Sequence, residues 1–82
     1  MNIIDVDYCW DGGSALIGTD AGTYCVDRRI DSETPNAVYT AYPDEGGILC
    51  NSVRGDLLDA LQRYGHQDDA IQILINDLHS AR

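Results

Sequence analysis

Lysine is missing from this chain altogether. Five arginines stand against fourteen Asp and Glu, and the 82 residues carry a formal charge of −9. Such a balance repels nucleic acid and anionic membrane as direct partners and attracts basic protein surfaces. Ordinary solvated faces mix both signs, so an exterior this lopsided points to binding as its task. Phenylalanine is absent too, which leaves Trp10 and five Tyr to supply aromatic bulk. Cysteine is scarce and odd in number, and Cys9, Cys25 and Cys50 show no paired spacing. A small secreted domain more often carries a framework of four or six. The three read as reduced core thiols of a cytoplasmic protein, with a single disulfide as the alternative. No basic stretch followed by an apolar run opens the chain, so no signal peptide is expected. The longest apolar cluster, Ala70–Leu78, is interrupted by Gln72, Asn76 and Asp77 and cannot span a bilayer.

What is present suffices for one domain, residues 1–82. A chain of this size buries roughly 60–65% of its unfolded surface, so its stability margin is thin. Eight Ile, seven Leu and four Val exceed the aliphatic content of disordered acidic chains, and the chain should fold. Repulsion among carboxylates should weaken the fold at low salt, and a homodimer would be one way to add buried area.

The first half has the two-residue period of strands. In Ile3–Trp10 the even positions Ile4, Val6, Tyr8 and Trp10 are apolar and Asp5 and Asp7 point the other way. Asp11-Gly12-Gly13 breaks that strand, Ser14–Gly18 is a second, and Asp20-Ala21-Gly22 turns into a third over Thr23–Ile30, with Tyr24, Val26 and Ile30 on one face. Asp31–Asn36, which contains Pro35, reads as a loop, and Ala37–Tyr42 as a fourth strand closed by Pro43-Asp44-Glu45-Gly46-Gly47. The second half switches to a helical period. Val53, Leu57, Leu58, Leu61 and Tyr64 form one stripe, capped by Asn51 or Ser52 and stopped by a left-handed Gly65. Gly55 inside it suggests a close neighbour, because glycine there costs about 1 kcal/mol against alanine. Asp68 and Asp69 open a second helix with the stripe Ile71, Leu74, Ile75 and Leu78, closed by His79 and Arg82. The expected fold is α+β: a three- or four-stranded antiparallel sheet packed on one face by two C-terminal helices, with Asp5 and Asp7 on the other face.

Motifs for chemistry are thin. Asp7-Tyr8-Cys9-Trp10-Asp11-Gly12 starts like a calcium loop, but Cys9 stands at its third position and Gly18 at its twelfth, where a bidentate Glu belongs. Cys9, Cys25, Cys50, His66 and His79 lack the close pair typical of zinc sites, and His66 reads as a surface residue of the turn between the helices. Ser14 follows Gly12-Gly13 without a nucleophile elbow or a phosphate-binding lysine. With this many carboxylates, acidic pairs arise by composition alone. No catalytic residue, metal ligand or cofactor is assigned, and the chain reads as no enzyme.

The acidic residues carry the remaining signal. Asp5 and Asp7 sit on one strand face roughly 6.6 Å apart, of the same order as the spacing of about 3.4 Å of axis per charge along one DNA strand. Asp56 and Asp59 add a helical pair, and Asp11, Asp20, Asp44 and Glu45 lie in turns. Trp10, Tyr8 and Tyr39 suit core packing, and Tyr42, beside Pro43 and the acidic turn, is the aromatic expected to be exposed. In overall character, with Asp5-Val6-Asp7, Asp44-Glu45 and Asp68-Asp69 as its concrete residues, the chain resembles the small acidic inhibitors that phages encode, of the anti-CRISPR and DNA-mimic type. The resemblance implies a DNA-mimic inhibitor in the cytoplasm of a bacterial host. It would occupy the basic DNA or RNA groove of a nucleic-acid-binding complex, a CRISPR effector being favoured. Asp5, Asp7, Asp11, Asp44, Glu45 and Tyr42 are then the expected partner-binding residues. Two other readings stay open: an immunity protein or antitoxin against a basic nuclease, and a dimeric accessory or scaffold protein joined through its helical Leu/Ile stripes.

Overall fold

The computed structural model describes residues 1–9, 13–30, 37–65 and 69–80. Four strands precede two helices: β1 (Ile3–Cys9), β2 (Ser14–Thr19), β3 (Gly22–Ile30), β4 (Ala37–Pro43), α1 (Asn51–Tyr64) and α2 (Asp69–Ser80). The strands form one antiparallel sheet in the order β1-β2-β3-β4, each beside its neighbour in the chain. This is the expected α+β arrangement, with four strands. The loop expected over 31–36, Trp10, Asp11, His66, Asp68 and Arg82 lie outside the described residues.

Alternation decides which face the helices cover. Ala15, Ile17 and Thr19 of β2, Tyr24 and Val26 of β3, and Tyr39 and Ala41 of β4 are buried on one side. Against them pack Leu57, Leu58 and Leu61 of α1 and Ile71, Leu74, Ile75 and Leu78 of α2. Each fully buried aliphatic of this kind stabilises the fold by about 1.5–3 kcal/mol. The Leu and Ile residues of both helical stripes are therefore consumed within the chain, while Tyr64 at the end of α1 and Ile73 on α2 remain exposed. Arg54 ties the helices together, its Nη2 donating to the Leu78 carbonyl at 3.0 Å. Among the described residues no helix is long and apolar enough to cross a membrane.

The β2–β3 hairpin is tight. Thr19 pairs with Gly22 across Asp20-Ala21, and Gly22 takes φ 125°, which side-chain-bearing residues rarely adopt. Thr19 Oγ1 donates to the Gly22 carbonyl at 2.6 Å and accepts from the Ala21 N–H at 3.1 Å. Asp20 reaches back to the chain start, accepting from the Asn2 backbone N–H at 2.9 Å and from its Nδ2 at 3.2 Å. The Asn2 backbone bond is the main reason its carboxyl is held below the usual range.

Five local expectations change. First, β1 is not a simple alternation, because its register with β2 shifts between Ile3 and Asp5. A bulge adds a residue and flips the facing of what precedes it. Ile3 joins Val6 and Tyr8 against the core, while Ile4 is 69% exposed. Second, Cys50, and neither Asn51 nor Ser52, occupies the cap position of α1, and its side chain makes no capping hydrogen bond. Third, Cys50 is consequently an exposed thiol and no core residue, whereas Cys25 is buried. Fourth, Gly65 ends α1 in right-handed geometry, φ −70° and ψ −8°. Its lack of a side chain answers to space: a Cβ there would lie 2.9 Å from Ile71 Cγ2 and 3.0 Å from Ile75 Cδ1. Fifth, Gly55 has no such neighbour, since nothing lies within 4 Å of the Cβ it lacks.

Candidate functional site

Among the described residues, no helix lies over the second sheet face. Its rows follow from the strand register. Asp7, Leu16, Cys25 and Tyr42 are successive partners across the four strands. Ser14, Asp27 and Thr40 form the row on one side, and Asp5, Gly18 and Thr23 the row on the other. The Asp44 N–H extends that last row by donating to the Thr23 carbonyl at 3.0 Å. The face combines small and polar residues with Leu16, which is 41% exposed, and beyond the Asp27 row it carries the pair Arg29 and Val38, of which Arg29 is exposed.

Acid lies at both sides of this face. Asp5 and Asp7 are exposed on β1, one edge of the sheet, and Asp44 and Glu45 are exposed in the turn that leaves β4, the other edge. Three strand spacings separate β1 from β4, about 14 Å in all. The structure thus sorts the expected residues into two acidic rails and does not gather them into one cluster. Asp11 lies outside the described residues. Beside the second rail, Ala21, Gly22, Thr23, Tyr24, Pro43, Asp44 and Glu45 line an open groove of about 390 Å³.

Beside the second rail the expected Tyr42 meets a residue that the sequence reading did not single out, Asp27 of β3. Tyr42 is half-buried, and its hydroxyl donates to Asp27 Oδ2 at 2.8 Å. The Cys25 thiol donates to Asp27 Oδ1 at 3.7 Å. The contact with Cys25 first, and the bond to Asp27 second, push the Tyr42 hydroxyl well above its usual ionisation range. A phenolate would there face a carboxylate, so the neutral donor is favoured. Tyr42 is thereby a positioned ring with an engaged hydroxyl. The signal for Asp27 was present in the chain: if Tyr24 and Val26 point inward on β3, Cys25 and Asp27 must point outward with Asp5 and Asp7.

The two described tyrosines expected to pack inward do so. Tyr39 is 5% exposed and belongs to the core. Burial, then a hydrogen bond with Asp77, raises its hydroxyl, while Arg28 acts in the opposite direction. Tyr8 is half-buried and packs on the core margin. Asp56, Asp59 and Asp69 are exposed on the helical side, away from the sheet's open face. At the start of α1, Cys50 Sγ and Ser52 Oγ lie 3.2 Å apart. That hydrogen bond and the helix-start N–H groups lower the Cys50 thiol from its ordinary value. Among the described residues no three His, Cys, Asp or Glu side chains are grouped to hold a metal ion.

The chain matches no family model, no curated protein and no solved structure.

Proposed function

We propose that this chain is a binding protein that blocks a nucleic-acid-handling complex by occupying its basic DNA or RNA groove, in the manner of an anti-CRISPR or other DNA-mimic inhibitor. The observation that carries the reading is a sheet face that none of the described helices covers, with carboxylates along both edges. Asp5 and Asp7 bound one side and Asp44 and Glu45 the other, about 14 Å apart by strand spacing. The major groove of B-DNA, flanked by two phosphate strands, is about 12 Å wide. The two rails therefore offer a cationic cleft charges at a spacing of the same order as its normal ligand. Leu16 and the Tyr42 ring supply area for contact between them. Nine net negative charges on 82 residues add a long-range field that draws a basic partner in.

The dimeric-scaffold reading loses its proposed means of association, because the helical stripes that would have joined two copies are buried within one. The test of the inhibitor reading is capture from a bacterial lysate at low salt, followed by release with rising salt. A DNA- or RNA-handling complex should be recovered and should lose its nucleic acid as the protein is added. The variant D5N/D7N/D44N/E45Q should recover little of it. Unchanged recovery by that variant, with the fold intact, would refute the reading.

A further inference from the structure

The two edges of the sheet differ in how open they are, and the difference follows from which backbone groups face outward. The Arg28 N–H donates to the Gly13 carbonyl, so Arg28 faces β2. By alternation Tyr24 and Val26 face β2 as well, which leaves Thr23, Cys25 and Asp27 facing β4. The bond from the Asp44 N–H to the Thr23 carbonyl agrees with this. On β2, then, Ala15 and Ile17 are bonded to β3, and Leu16 and Gly18 to β1. Asp5 and Asp7 are the β1 residues bonded inward, and Val6 between them directs its N–H and C=O out of the sheet.

At the other edge the outward positions of β4 are Tyr39, Ala41 and Pro43. Tyr39 and Ala41 are 5% and 6% exposed, and Pro43 has no N–H to offer. That edge is closed to a further strand. The β1 edge is half-exposed at Val6 and exposed at Ile4, Asp5 and Asp7.

We infer that the outer edge of β1 is a strand-addition site for an extended cationic segment of the partner, with Lys or Arg at alternate positions opposite Asp5 and Asp7 and aliphatic residues between them. The inference rests on the binding role proposed above and names the element that makes contact. Side chains directly opposite on adjacent strands have Cβ atoms about 4.5–5.5 Å apart, and opposite charges there attract. The two aspartates, two residues apart on one face, thus specify two cations at the same spacing. Val6, on the other face, meets the aliphatic residue between those cations, and exposed Ile4 extends the apolar contact. A second copy of the chain does not fit this edge. Pairing β1 with β1 in antiparallel register would bring aspartates opposite aspartates, which is destabilising. The same charges that deter self-association select a partner of the opposite sign.

The probe is a synthetic peptide of alternating lysine and valine. Its twin carries N-methyl groups on the amides that would face β1, so the charge is the same and the backbone donors are gone. At low salt the unmodified peptide should bind and slow hydrogen exchange at the Val6 amide at least tenfold. The methylated twin should bind about ten- to a hundredfold more weakly, the cost of two backbone hydrogen bonds. Val6→Pro deletes the outward N–H while leaving the Val6 carbonyl and the Asp5 and Asp7 ladder bonds to β2, and should weaken the peptide about two- to tenfold, the cost of one backbone hydrogen bond. Equal binding of the two peptides, without protection at Val6, would overturn strand addition and leave the electrostatic reading standing. Binding of neither peptide, while the lysate complex is still captured, would overturn it too.

Discussion

Two glycine-to-alanine changes in and just after one helix should move stability in opposite directions. Gly65→Ala adds a methyl 2.9 Å from Ile71 Cγ2 and 3.0 Å from Ile75 Cδ1. Both isoleucines are essentially inaccessible to solvent, so neither can swing outward to make room. Ile75 Cδ1 is the free end of its side chain and can yield. Ile71 Cγ2 is fixed to a branched Cβ and moves only if the whole rotamer turns. Overpacking of this kind costs about 1–3 kcal/mol. Alanine recovers some of it, about 0.4–1 kcal/mol, by restricting the unfolded chain, since φ −70° suits it. The net loss should be on the order of 1–2 kcal/mol, or a fall in Tm of about 5–15 °C for a chain this size. Gly55→Ala meets nothing within 4 Å and sits mid-helix. It should gain about 0.8–1 kcal/mol, raising Tm by about 4–8 °C. Thermal melts by circular dichroism read both. A Gly65→Ala protein as stable as the parent would refute the close approach of α2 to the end of α1. A destabilised Gly55→Ala would mean that something packs where the structure has open space.

Three further measurements follow from the charges and thiols. With nine net negative charges, Tm should rise as sodium chloride goes from about 0.01 to 0.5 M, because the screening length falls from about 30 Å to under 8 Å; a flat profile would contradict carboxylate self-repulsion. Alkylation read by mass spectrometry should label Cys50 quickly and Cys25 only on unfolding. The pH midpoint for Cys50 should lie below that of a free thiol and move up in Ser52→Ala. In an ultraviolet titration, Tyr42 should be among the last tyrosines to ionise, and Tyr42→Phe should remove that late step. The sign is that of a raised acid: any stability from the Tyr42–Asp27 bond is complete below the ordinary tyrosine pKa and declines only as pH rises through the higher folded value.

The order of elements was legible because both periods are clean. Ile71, Leu74, Ile75 and Leu78 can share a face only on a helix, and Ala15 with Ile17, or Tyr24 with Val26, only on a strand. What could not be read depended on contacts distant in the chain. The bulge at Ile3/Asp5 is a matter of pairing with β2, and nothing in Ile3-Ile4-Asp5 marks which isoleucine turns inward. The role of Gly65 depends on where α2 packs, so its position at a helix end invited a conformational explanation when the constraint is steric. The candidate site was half legible. Alternation gave Asp5 and Asp7 a common outward face, but the separation of Asp44 and Glu45 onto the opposite edge is a property of the strand order. So is the placement of Asp27 under the Tyr42 hydroxyl.

The two features proposed for binding act on different steps, and that difference is measurable. Charges on exposed rails act at long range, so they accelerate encounter and lose their effect as salt shortens the screening length. Backbone bonds at Val6 form only after contact, so they act on dissociation. Asp44→Asn with Glu45→Gln, remote from the β1 edge, should therefore slow association with the captured complex and flatten its salt dependence, with little change in the dissociation rate. Val6→Pro should leave association nearly unchanged and speed dissociation about two- to tenfold, as expected for one lost hydrogen bond. Surface plasmon resonance at two salt concentrations resolves the two rates. If Val6→Pro altered association alone, the β1 edge would be serving only as a carrier of charge. If the Asp44 and Glu45 changes altered dissociation alone, the second rail would be a contact surface in its own right and not part of a steering field.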